Sequence, residues 1–63
     1  MTVKELTREQ LEIVKQRYYM QKMDEESGAG VSYGELAAID TLVTDEEIFA
    51  EYEGTLFTKG DFE

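Results

Sequence analysis

The sequence predicts an all-α fold, with residues 1–63 forming a single small domain of three helices and an extended C-terminal tail. Two observations carry this prediction: a helix-start motif that occurs three times, and apolar residues at helical spacing behind each copy. In this motif, a capping box, a hydroxyl accepts a hydrogen bond from the third helical amide while a Glu or Gln side chain accepts one from the cap amide. The copies are Leu6-Thr7…Gln10-Leu11, Val31-Ser32…Glu35-Leu36 and Val43-Thr44…Glu47-Ile48.

The first predicted helix covers residues 8 to about 24. Leu11, Val14 and Tyr18 fall on one stripe at helical spacing, so this side should face the core. The acids at 24–26 oppose the helix macrodipole, and they predict that the helix ends near them. Residues 27–30 then form a glycine loop, because Gly28 and Gly30 can adopt positive φ.

The second and third helices are predicted at about 33–41 and 45–53. The second presents Leu36 and Ile39 within an apolar patch, and it is short enough to need neighbours. The third presents Ile48 and Tyr52 inward and is followed by Gly54, a frequent terminator of helices.

The tail, residues 54–63, is predicted to be extended because it has few helix formers. Leu56, Phe57 and Phe62 are expected to fold back over the helices and complete the core. The alternative is an α+β fold in which residues 55–58 form one strand of a small sheet, within the chain or between subunits.

Composition excludes several classes of chemistry. The 63 residues contain no Cys and no His, so thiolate and imidazole metal ligands and an activated hydroxyl nucleophile have no basis. The alternating ligands of an EF-hand are also missing. We therefore predict no enzymatic activity and no cofactor. Because no apolar run approaches the length of a membrane span, we expect a cytoplasmic protein.

Charge is distributed unevenly along the chain. Residues 1–23 contain five Lys or Arg and three Glu, whereas residues 24–63 contain twelve carboxylates and one lysine, out of a net charge of −9. Such a field repels phosphate backbones and attracts basic protein surfaces. The densest acids lie on the third predicted helix, and we predict that they form a partner-binding surface: Asp45, Glu46, Glu47, Glu51 and Glu53.

Residues 32–52 resemble a helix-turn-helix motif, through Ser32-Tyr33-Gly34-Glu35-Leu36-Ala37 and the later Ala38, Val43, Thr44 and Ile48. Leu42 replaces the usual turn glycine, and the helix in the recognition position is acidic. Its charges are spaced about 3 Å apart along the axis, close to the ~3.4 Å between phosphates on a DNA strand. In size and charge the chain also resembles small acidic proteins of phages and mobile elements, some of which inhibit restriction or CRISPR systems.

These resemblances imply a protein-binding module that mimics nucleic acid and inhibits a nucleic-acid-binding protein. Two other functions stay open from the sequence: a helix-turn-helix protein that contacts nucleic acid through basic helix 1, and a structural homo-oligomer. The acidic residues can also serve solubility alone.

Overall fold

A computed structural model of the chain describes residues 1–28 and 30–62, and it confirms the all-α prediction. The helices are α1 (Arg8–Ser27), α2 (Tyr33–Ala37), α3 (Ile39–Leu42) and α4 (Asp45–Glu51). Short 3-10 turns at Val3–Glu5 and Lys59–Asp61 flank them. No strand occurs within the described ranges, so the α+β alternative is not supported. Ala29 of the predicted loop and Glu63 of the predicted tail lie outside them.

All three predicted helix starts are present, although only two of the three predicted capping boxes are complete. Thr7 and Ser32 form complete capping boxes at α1 and α2. At α4 the Thr44 hydroxyl accepts from the Glu47 amide at 3.2 Å. The same device caps the two 3-10 turns, where Glu5 accepts from the Thr2 amide and Asp61 from the Thr58 amide.

The first helix is longer than predicted, because the acids at residues 24–26 lie within its last turn instead of ending it. Gly28 ends the helix in the left-handed conformation, with φ at 67°, and its amide donates to the Asp24 carbonyl. The acidic side chains are exposed, so solvent and salt screen their unfavourable interaction with the macrodipole.

The second predicted helix is divided in two at Ala38, which makes four helices in the described chain instead of three. Ala38 has φ of −96° and ψ of 19°, outside the helical range. The side-chain amide of Gln16 in α1 donates to the Leu36 carbonyl at 3.3 Å, next to the break. The break lets α3 turn Ile39 fully into the core, while Leu42 stays partly exposed.

A single small core joins these elements. Half-buried Leu6, aromatic side chains and the tail surround it, and its buried members are Val3, Leu11, Val14, Ile39, Val43 and Ile48. The helix predicted at 45–53 is two residues shorter, since it ends at Glu51 with Tyr52 as its cap residue, and Gly54 follows with φ at 82°.

The tail packs on the helices as predicted for two of its three apolar residues. Phe57 and Met1 exchange two backbone hydrogen bonds of 2.7 Å, which hold the two ends of the described chain together. Phe57 and Phe62 pack against the core, and the rings of Tyr52, Phe57 and Phe62 follow one another at 5.7 and 5.9 Å. Leu56 instead remains 73% exposed, because it lies opposite the inward-facing Phe57 on an extended segment.

Candidate partner-binding surface

A buried lysine divides the predicted acidic site. The Lys15 side chain is 1% exposed, and its ammonium lies 2.9 Å from the Asp40 carboxylate and also contacts Asp45. Arg8 reaches the same two carboxylates at 3.1 and 3.5 Å and Glu12 at 3.8 Å. We call Lys15, Arg8, Asp40 and Asp45 the ionic clamp, because it ties α1 to α3 and to the start of α4.

The pKa shifts in the clamp follow from its geometry. Burial, the largest influence, lowers the pKa of Lys15, but hydrogen bonds to Asp45 and Asp40 outweigh it and hold the pKa above its ordinary value. The Lys15 hydrogen bond, together with the charges of Lys15 and Arg8, lowers the pKa of Asp40. Lys15 and Asp40 are therefore both ionised at neutral pH.

Asp45 thus has a structural role that the sequence did not reveal. It is one of the five residues predicted to bind a partner, yet it is the one that contacts two cations of the same chain. A partner could recruit Asp45 only by breaking the clamp. The structure therefore separates it from the four acids that follow it along the chain.

Those four acids form what we call the acidic surface: Glu46, Glu47, Glu51 and Glu53. Glu46, Glu51 and Glu53 are exposed, and Glu47 is half-buried. The ion pairs within residues 1–28 and 30–62 involve none of them. Glu46, Glu51 and Glu53 consequently remain accessible to an external cation, whereas Glu47 interacts with the Tyr18 hydroxyl.

A groove between α1 and α4 borders the acidic surface. It has a volume of about 260 Å³ and is lined by Tyr18, Gln21, Lys22, Glu25, Glu51 and Tyr52. The rings of Tyr18 and Tyr52 meet edge to face, with centroids 6.5 Å apart. The Lys22 ammonium lies 5.9 Å from the centroid of the Tyr18 ring, within cation–π range. The groove thus combines an aromatic floor with carboxylates on both helices.

Both tyrosines of the groove are neutral at physiological pH. Interaction with the Glu47 carboxylate, followed by burial, raises the pKa of Tyr18. Burial, followed by the Glu51 charge, raises the pKa of Tyr52, and Arg17 opposes that shift. Neutral phenol rings are electron-rich faces suited to cations.

The remaining cations of the first 23 residues, Lys4, Arg17 and Lys22, each lie over an aromatic ring. Lys4 lies over Phe49 at 6.0 Å, and Arg17 lies over Phe62 at 5.9 Å. With Lys22 over Tyr18, and with Arg8 and Lys15 in the clamp, each cation of α1 has a partner in the same chain. Two of the four cations of α1 are thus paired with carboxylates, whereas Arg17 and Lys22 remain exposed.

A second, more apolar groove lies between the first 3-10 turn and the end of α4. Its volume is about 360 Å³, and its lining includes Val3, Lys4, Phe49, Tyr52 and Glu53. Nothing in its lining specifies an occupant.

The described residues contain no cluster of three potential ligands that could hold a metal ion. None of the helices described is long and apolar enough to cross a membrane. No protein-family model matches the chain, and comparison with curated proteins and with solved structures likewise gives no match.

A sequence signal for the clamp existed. Lys15 follows Leu11 by four residues and precedes Tyr18 by three, so it lies on the apolar stripe of α1. A lysine there must either extend to solvent or find carboxylates inside. Which carboxylates Lys15 contacts depends on the helix break at Ala38. No glycine or proline at the break indicates it in the sequence.

Proposed function

We propose that this chain is a non-enzymatic protein-binding module that presents its acidic surface to a basic surface of a nucleic-acid-binding protein. In this role it occupies the partner's phosphate-binding groove and inhibits the partner. Exposed carboxylates on and just after a short helix are suited to this task, since charge complementarity speeds association and selects partners.

The observation that carries the proposal is that some charges are paired within the chain while, in the part that the structure describes, the carboxylates of the acidic surface have no ion pair. Cations on α1 are engaged within the chain, by carboxylates in the clamp or by aromatic rings. The acidic surface has no ion-pair partner among the residues described. Folding therefore pairs Arg8 and Lys15 with carboxylates of the clamp and leaves Glu46, Glu51 and Glu53 exposed without an ion pair to the described residues.

Because Asp45 belongs to the clamp, the surface that would mimic nucleic acid contains a different set of carboxylates from the one predicted. The available charges begin at Glu46, and Glu25 adds a further carboxylate across the groove from Glu51. The resulting surface spans two helices, so it resembles a patch of phosphates more than a single strand. A basic groove that accepts a duplex is the partner surface it would fit.

The test is a charge-reversed variant carrying Glu46→Lys, Glu51→Lys and Glu53→Lys. All three residues are exposed, and none belongs to the clamp. Lys is as good a helix former as Glu, so the variant should fold. We expect capture of a basic partner from host lysate by the parent chain, and at least a tenfold loss of its affinity in the variant.

The matched control reverses three exposed acids of α1, Glu9→Lys, Asp24→Lys and Glu26→Lys, which changes the net charge equally. It should retain most of the binding if the acidic surface is the contact. Equal losses in the two variants would mean that net charge alone matters, and the proposal would fail.

Two alternatives are separated by simple measurements. A gel shift with generic duplex at low salt should show no complex; binding below micromolar concentration would favour a nucleic-acid-binding protein instead. Sedimentation at two concentrations should show a monomer, whereas a concentration-dependent dimer would favour the homo-oligomer.

A further inference from the structure

The groove between α1 and α4 offers more than negative charge. It has an aromatic floor of Tyr18 and Tyr52, and it has Glu25 on one side and Glu51 on the other. We propose that this groove receives an arginine side chain of the partner, and that Lys22 occupies it in the free protein. The proposal rests on the proposed function and deepens it by assigning the chemistry of one contact.

Lys22 shows that a cation is accommodated here. Its ammonium lies 5.9 Å from the Tyr18 centroid, and its residue lines the groove together with both glutamates. Lys22 is exposed, so the fold does not enclose its side chain. A partner's cation can therefore displace it by rotation about side-chain bonds alone.

Arginine fits this groove better than lysine. A guanidinium is planar, stacks on aromatic faces, and can donate to a carboxylate on each side at the same time. It is also less strongly hydrated than an ammonium, so entering a half-buried groove costs it less. The Lys22 ammonium already lies over the Tyr18 ring, so this ring is accessible to a cation in the groove.

The test compares fluorescently labelled, end-blocked tetra-arginine and tetra-lysine peptides binding to the full chain, followed by anisotropy at low salt. Both peptides carry the same charge, so a general acidic field binds them alike. We expect the arginine peptide to bind about two- to fivefold more tightly, the range of one cation–π contact.

The decisive variant is Lys22→Met, with Lys59→Met as its control. Each removes one positive charge, but Lys59 lies outside the groove lining. Lys22→Met should strengthen binding of the arginine peptide several-fold, and Lys59→Met should change it by less than about twofold. Tyr18→Leu, checked for folding by circular dichroism, should abolish the preference for arginine.

The possible results are distinct. Equal binding of the two peptides, or equal effects of the two lysine variants, would overturn the arginine groove while leaving the electrostatic basis of the proposed function intact. Failure of both peptides to bind at low salt would overturn both proposals, since the acidic surface would then attract no cation.

Discussion

Asp45 and Glu46 are neighbours in the sequence, yet the fold uses them differently. Asp45 holds a lysine that is 1% exposed and thereby fastens α4 to α1, whereas Glu46 is exposed. Both lie in the first turn of α4, where the macrodipole favours a carboxylate. The difference shows that an acidic segment cannot be assigned one role: the partner of each carboxylate decides whether its charge holds the fold or remains available.

The largest expected effect comes from removing the centre of the clamp. Lys15→Ala deletes a buried stem and leaves Asp40 and Asp45 without their closest cation. Both carboxylates are 39% exposed and can rehydrate, so the cost should be about 2–3 kcal/mol, below that of a fully buried pair. In a domain of this size the melting temperature should fall by roughly 10 °C or more.

The control for this variant is Lys22→Ala, at an exposed position of the same helix. It should change the free energy of unfolding by no more than about 0.5 kcal/mol. If both variants melt like the parent, the clamp does not stabilise the fold.

A smaller effect separates the neighbouring acids directly. Asp45→Asn keeps the shape but removes the charge that faces Lys15 and Arg8, and it should lower stability by about 1–2 kcal/mol in urea unfolding. Glu46→Gln should lie within about 0.5 kcal/mol of the parent. Equal losses would mean that the two acids act only through the helix dipole, and the contrast between clamp and surface would be void.

The pH dependence of stability gives a third contrast. The pKa of Asp40 is lowered, so its contribution to stability is present above the unfolded value of ~3.9 and is lost as pH falls through the folded pKa. Glu5 and Glu35, whose pKa values are also lowered by capping and by hydrogen bonds, add to this acid limb. Asp40→Asn should therefore remove only part of the loss of stability at low pH. Thermal melts between pH 2 and 6 measure this loss.

The alkaline limb depends on the opposite sign. The pKa of Lys15 is raised, so its contribution is complete below ~10.4 and is lost as pH rises through the folded pKa. Tyr18 and Tyr52, with raised pKa values, also favour unfolding above ~10 because the unfolded chain ionises more readily. Lys15→Met should thus weaken this limb without removing it; an unaltered alkaline limb would show that Lys15 is not linked to folding.

Much of the fold was predictable because its signals are local. A capping box lies within six residues, and a stripe such as Leu11, Val14 and Tyr18 within two turns. The packing of the tail on the helices was predictable. Burial of both Leu56 and Phe57 was not a consistent expectation, because adjacent side chains on an extended segment point to opposite sides. The break at Ala38 depends on tertiary contacts, including the bond from Gln16, so helix propensity did not reveal it.

The candidate site was predictable as a charge density and not as a geometry. The acids of the site could be read from the sequence. That Asp45 belongs to the clamp and not to the acidic surface could not, because this depends on α3 bringing Asp40 to Lys15 alongside Asp45. The groove has the same origin. Tyr18 and Tyr52 are 34 positions apart, and only the packing of α4 on α1 brings their rings together.

We propose that the acidic surface contributes little to the stability of the fold and instead binds the partner. The most direct test of this proposal measures tetra-arginine affinity over a range of salt concentrations, together with urea unfolding, for the parent and for the Glu46→Lys, Glu51→Lys, Glu53→Lys variant. We predict parent binding that weakens steadily with salt, at least a tenfold loss in the variant, and unfolding free energies equal within about 1 kcal/mol. A variant that binds the peptide like the parent, or that unfolds several kcal/mol more easily, would contradict the account.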